Sequence, residues 1–196
     1  MRSMGKLGLA GVLLAMGIGA AVAADDDVRG RYLEEARKAA ATLLNQIRTE
    51  LMREMERTGP IRSIVVCKYS APEAASAVSR QTGMHVTRVT LRPRNRALGE
   101  ADAWEQQALL DFEKRLSKGE KVEALEATEV VNEPSGRFFR YMKAIPVGQA
   151  CLACHGPVAQ MSEGVKALLA QEYPHDRAVN YEIGQVRGGI SVKRPF

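Results

Sequence analysis

The segment CLACHG, residues 151–156, constrains this chain more than any other stretch, because its Cys-x-x-Cys-His pattern has few structural uses. Cys151 and Cys154 stand one helical turn apart, and His155 follows directly. Two thiols at this spacing can add to the two vinyl groups of one porphyrin, which brings the adjacent histidine under the iron. The pattern therefore predicts covalent attachment of one haem c, with Cys151 and Cys154 as thioethers and His155 as an axial iron ligand.

Two other kinds of site use a Cys-x-x-Cys pair. A thioredoxin-like redox pair lies at a strand-to-helix junction in a βαβ pattern, which is absent here. A zinc site needs further ligands at typical spacing, and a Cys3His set that includes Cys67 stays open. Haem attachment is favoured over both if the chain is exported, since exported chains pass through the compartment where haem is ligated to this motif.

The N-terminus has the layout of a secretory signal peptide. Arg2 and Lys6 precede the apolar run GLAGVLLAMGIGAAVA, which ends in small residues and is followed by Asp25. We predict a signal peptide over residues 1–24, cleaved after Ala23 or Ala24, and a periplasmic mature protein. The alternative is an uncleaved segment that anchors the chain, which would be its one contact with a membrane.

The charge of the chain argues against a nucleic-acid partner. Of the 28 basic residues two lie in the predicted signal peptide, so the mature chain has 26 basic against 23 acidic residues. The basic residues are spread along the chain without a run rich in lysine and arginine, and export makes such a partner less plausible still.

A third cysteine, Cys67, remains after haem attachment uses the other two. A free thiol in an oxidising compartment is exposed to oxidation unless it is buried or bound. Three roles stay open from the residues alone: a buried apolar side chain, an intermolecular disulfide, or a thiolate ligand to iron opposite His155. Other candidate ligands are His85, His175, Met52, Met55, Met84, Met142 and Met161.

The periodicity of the N-terminal third predicts a long helix and a short one. Apolar residues recur every three or four positions over residues 28–57, and Thr58-Gly59-Pro60 stops the pattern. Ser70 and Glu73 form the pattern of a capping box, which would begin a short helix ending near residue 81. A kinked helix that runs on from residue 61 is the alternative.

The rest of the chain mixes strand and helix patterns. In this order, without a βαβ repeat, they indicate an α+β fold in which helices cover one face of an antiparallel sheet. The domains we predict are the signal peptide 1–24, an N-terminal amphipathic helix 25–60 and a haem domain 61–196. The elements are a strand over 85–92, a helix from Asp102-x-x-Glu105 to Gly119, a hairpin of ATEVVN and RFFRYMKAIPV, a helix over 162–172, and a second hairpin that turns near Gly184.

Four stretches in this order resemble a known family: VCKYSAP, TLRPRNRALGEADAWE, YMKAIPVGQACLACHG and EYPHDRAVNYEIGQVRGGISV. The family is a domain of unknown function found in exported bacterial proteins and in the extracytoplasmic parts of some sensor kinases. The resemblance covers essentially everything after residue 28. It implies a PAS-like fold, an antiparallel sheet with flanking helices, that carries one c-type haem.

The resemblance also implies the iron ligands, which in that family are the histidine of the attachment motif and a cysteine of an upstream Val-Cys segment. The matching residues here are His155 and Cys67. One loop departs from the family, because this chain has Arg94-Asn95-Arg96 where many members have an Asn-Pro pair. Arg92, Arg94 and Arg96 could pair with haem propionates, since guanidinium matches carboxylate, or they form a solvated basic loop.

The sequence predicts the function of the chain only as a class. With both axial positions filled and no second catalytic constellation, an enzyme is the least favoured class. We expect a redox or small-gas sensing module that passes its signal to a partner protein, and the alternative is a soluble periplasmic electron-transfer cytochrome with a redox partner. The long helix has more apolar surface than a small sheet covers, so it is expected to support a homodimer.

Overall fold

A long, kinked helix opens the fold. The computed structural model describes residues 12–196, with side chains from residue 25 onward, and α1 spans Val12–Val65. Gly59 breaks its regularity with φ 77° and ψ −179°, a conformation that glycine adopts without steric cost, and Pro60 lacks the N–H of a regular helix. The Thr58-Gly59-Pro60 signal is therefore a kink and not an end. The predicted signal peptide lies outside the residues whose side chains are described.

The helix continues through one π-helical turn, Val66–Ser70, into α2, Ala71–Thr82. Ser70 has helical dihedral angles (φ −66°, ψ −37°) and its side chain caps no backbone N–H, so the predicted capping box is wrong. The kinked-helix alternative is the correct one. Cys67 lies within the π-helical turn, a rare element that often marks functional sites.

Among residues 12–196, four strands, numbered in chain order with the bounds given below, form one antiparallel sheet of order β1-β4-β3-β2. The predicted hairpin is present, with β2 pairing along β3, whereas the predicted second hairpin is wrong because the structure shows no strand over residues 178–184. β4 pairs instead with β1 and β3. The strands are β1 His85–Val89, β2 Glu126–Glu133, β3 Gly136–Pro146 and β4 Val186–Pro195.

Of the remaining helices, α4 begins at the predicted capping box. The Asp102 carboxylate accepts the Glu105 N–H at 2.9 Å, and the Glu105 carboxylate accepts the Asp102 N–H at 2.8 Å. The helices are α3 Arg96–Gly99, α4 Ala103–Ser117, α5 Leu152–His155 and α6 Glu163–Glu172, with 3₁₀ turns at Val122–Ala124, Gln149–Cys151 and Val158–Gln160. In the described range 12–196, none of the helices combines the length and apolarity that crossing a membrane requires.

Helices cover both faces of the sheet, so the expectation of one covered face is wrong. Phe139 and Tyr141 of β3 belong to a buried cluster with Leu43 of α1, whereas Met142 belongs to a second cluster with Phe112 of α4. Successive side chains of a strand point to opposite faces, and RFFRYMKAIP is apolar at both sets of positions. A strand of this composition is buried on both faces, which requires a helical layer on each side.

Candidate functional site

The Cys-x-x-Cys-His motif lies on two short helical turns that follow β3. Cys151 ends the 3₁₀ turn, and His155 is the last residue of α5. All three cysteines of the described chain are free thiols. A Cβ atom at Gly156 would lie 2.7 Å from the Leu152 carbonyl oxygen, so glycine lets the chain leave α5 directly after His155.

The imidazole of His155 is held in one orientation. Its Nδ1 lies 2.7 Å from the Ala178 carbonyl oxygen. A carbonyl can only accept a hydrogen bond, so Nδ1 donates and Nε2 keeps its lone pair. Burial lowers the pKa of His155 well below its ordinary value, and Arg187 and Arg94 lower it further. The ring is therefore neutral and presents Nε2, the form that binds a metal.

The segment 178–181 holds the motif through its backbone. The Tyr181 N–H donates to the His155 carbonyl and the Asn180 N–H donates to the Gly156 carbonyl, both at 2.9 Å. Asn180 has a φ of 59°, which asparagine tolerates better than most residues, and its side chain accepts the Val158 N–H at 3.1 Å. These bonds explain why the segment forms no strand: its backbone groups pair with the motif instead.

Arg94 ties the same segment to the motif from the other side. It is buried, and its Nε donates to Asp176 Oδ2 at 2.8 Å. Its Nη2 donates to the carbonyls of Cys154 and Ala178, and Asp176 Oδ1 accepts the Ala178 N–H at 2.7 Å. Arg94 thus fixes the carbonyl that orients His155.

The other two arginines of this loop lie differently. Arg96 pairs with Glu100 at 3.1 Å, and both side chains are exposed. Arg92 stacks on Tyr181, with its guanidinium carbon 4.0 Å from the ring centroid. These positions do not decide whether Arg92 or Arg94 contacts a haem propionate, so that role stays a prediction.

The segment that carries Cys67 packs beside the motif, although Cys67 and Cys151 are 84 positions apart in sequence. Ile64, just before the π-helical turn, packs in a cluster with Met161 and Tyr173, and Cys154 packs against this cluster. Burial raises the pKa of the Cys154 thiol to about 11, with Arg94 opposing and Cys67 contributing to the rise. Lys68 pairs with Glu172 and joins the π-helical turn to α6.

The other candidate iron ligands differ in where they lie relative to the attachment motif. Met142 is fully buried in the α4 cluster, Met84 lies in the cluster of α1 and α2, and His85 and His175 are exposed. Met161 alone among these alternatives shares the cluster that Cys154 touches. Within the described residues, no three or more His, Cys, Asp or Glu side chains form a group that could hold a metal ion.

Arg187 is the residue of this site that the sequence analysis missed. It stands on β4 with its guanidinium carbon 5.4 Å from the Tyr181 centroid, and its buried Nε has no hydrogen-bond partner among the described residues. Arg187 belongs to no recognisable sequence motif. Its neighbours could not be inferred until the pairing of β4 with the other strands was known.

Comparison with known proteins agrees with this architecture. The family model described as Tll0287-like matches residues 28–195. The crystal structure titled as that of the cyanobacterial heme-protein Tll0287 is 24% identical to the chain with a TM-score of 0.59, and the alignment covers 85% of this chain and 93% of that chain. No curated protein matches the chain. At this identity, the structural likeness shows the fold alone.

Proposed function

The chain belongs to the Tll0287-like family, as its four sequence motifs predicted, and from that premise we propose that it is an exported haem protein. One haem c is attached to Cys151 and Cys154 and held between His155 and Cys67. The observation that carries the proposal is the bond between His155 Nδ1 and the Ala178 carbonyl, because it leaves Nε2 free beside two unpaired thiols.

Apolar side chains are exposed next to the residues of the proposed site. Large apolar side chains are exposed beside each segment of the site: Tyr69 two residues after Cys67, Val158 after the motif and Ile183 after Tyr181. A bound haem, being largely apolar, would cover side chains of this kind. The antiparallel sheet with helices on both faces supports a PAS-like classification.

Bound haem would supply an iron that changes oxidation state and can exchange an axial ligand. The chain supplies the two ligands and their orientation. Ala178 and Arg94 keep the imidazole fixed, whereas Cys67 is held on a π-helical turn between two longer helical segments. The histidine side is therefore held by a hydrogen bond to its ring, and the cysteine side rests on a rare helical element of the kind that is frequent at functional sites.

This asymmetry favours a redox or small-gas sensor over an electron carrier. Loss of the Cys67 bond would free the turn that connects α1 to α2, and α1 packs against the sheet. A ligand can shift such an equilibrium by its differential affinity for the two states. The same proposal includes a periplasmic location, a signalling or redox partner protein and a homodimer through α1.

Carbon monoxide distinguishes the sensor from the carrier. We expect the reduced protein to bind carbon monoxide with loss of the Cys67 ligand and with a change in its circular dichroism or its sedimentation. Spectra of the reduced protein with and without the gas measure this directly. Retention of both axial ligands and of the sedimentation coefficient under the gas would support the electron-transfer cytochrome instead.

A further inference from the structure

Two arginines lie against the ring of Tyr181 and lack an acidic partner. The guanidinium carbons of Arg92 and Arg187 lie 4.0 and 5.4 Å from the centroid of this ring. The same ring contacts the His155 imidazole edge to face, with centroids 6.4 Å apart. Among the described residues, neither arginine has a carboxylate within ion-pair distance, and their hydrogen bonds go to carbonyls and to Thr90.

Arg140, on the same sheet, shows what a satisfied buried arginine looks like here. It also has an unpaired Nε, but its other nitrogens pair with Asp102 at 2.7 Å, Glu105 at 3.2 Å and Glu133 at 3.1 Å. Arg187 has an equally buried Nε and no such carboxylate. Arg187 is half-buried, and a cation whose Nε is buried without a hydrogen bond or a counter-charge is costly, which indicates that an anion belongs beside it.

We propose that Arg92 and Arg187 bind the propionate carboxylates of the haem, with the Tyr181 ring, which both contact, as their support. This inference rests on the proposed function, since the anion is part of the haem held at His155. Guanidinium groups pair with carboxylates through parallel N–H donors, and both arginines lie on the Tyr181 ring that contacts the imidazole. Arg94 is left out of this proposal because its guanidinium already pairs with Asp176.

Resonance Raman spectra of the purified haem protein test the assignment, because the propionate bending bands respond to hydrogen bonding of the carboxylates. We expect Arg187→Ala and Arg92→Ala each to move a propionate band to lower frequency and to lower the reduction potential, since a cation near the iron is removed. Arg187→Lys should keep the potential closer to that of the wild type, because it keeps the charge.

Arg96→Ala is the matched control, since Arg96 lies in the same loop but is exposed and paired with Glu100. It should leave both readouts unchanged. If Arg187→Ala does not fold, Arg92→Ala still decides, because the hydrogen bond of Arg92 Nε to the Arg177 carbonyl lies at an exposed position. Wild-type bands and potential in the folded variants would overturn the inference, and a wild type without covalent haem would overturn the proposed function instead.

Discussion

Replacing Cys67 with methionine is expected to raise the haem reduction potential by about 0.1 V or more, a modest part of the range that axial ligands control. A thiolate carries a negative charge and donates strongly, so it stabilises ferric over ferrous iron, whereas a thioether does neither. The potential is measured by a redox titration followed through the visible spectrum. Cys67→Ala should leave a five-coordinate or water-bound iron that takes up carbon monoxide more readily.

Met161→Leu is the control for this prediction. Met161 packs in the cluster that Cys154 touches, and leucine fills a similar volume, so the spectrum and the potential should stay those of the wild type. If Cys67→Ala instead keeps the wild-type spectrum and potential, the cysteine only packs. Met161 is then the ligand to test, ahead of Met84, His85 and Met142, none of which lies in that cluster.

Replacing Asp176 with asparagine is expected to destabilise the protein by about 3–5 kcal/mol, the usual effect of removing one partner of a buried ion pair. Asparagine keeps the oxygen that accepts the Ala178 N–H but removes the charge that neutralises Arg94. Urea unfolding measures the loss. Because Arg94 also donates to the Ala178 carbonyl, the histidine ligand should become less well ordered.

Glu100→Gln provides the comparison for the buried pair. It breaks the ion pair with Arg96, in which both side chains are exposed, and should change stability by less than about 1 kcal/mol. Equal small effects of the two substitutions would show that Arg94 and Asp176 do not hold the site as proposed.

Local signals allowed much of the fold to be predicted from the sequence. The capping box of Asp102 and Glu105 begins α4 as expected, and the two alternating runs of the hairpin pair as β2 and β3. Both signals are short-range: each depends on residues within a few positions of each other, so no distant contact can change them easily.

Predictions failed where the backbone N–H groups of a segment bond to partners that the local sequence pattern does not reveal. Ser70 has the right spacing to Glu73 for a cap, but the helix already continues through Cys67 and leaves no unpaired N–H groups for it to satisfy. Residues 178–181 resemble a strand, yet the carbonyls of His155 and Gly156 bind their N–H groups. Arg187 gave no signal at all, because its isolation from carboxylates is a property of the assembled sheet.

The most direct test of the whole account is the haem content of the purified protein, produced with the periplasmic apparatus that attaches haem. The account predicts one haem for each chain, resistant to acid-acetone extraction, with a c-type pyridine haemochrome spectrum that Cys151→Ala or Cys154→Ala alters. Haem that is fully extracted, or bound zinc in its place, would contradict it.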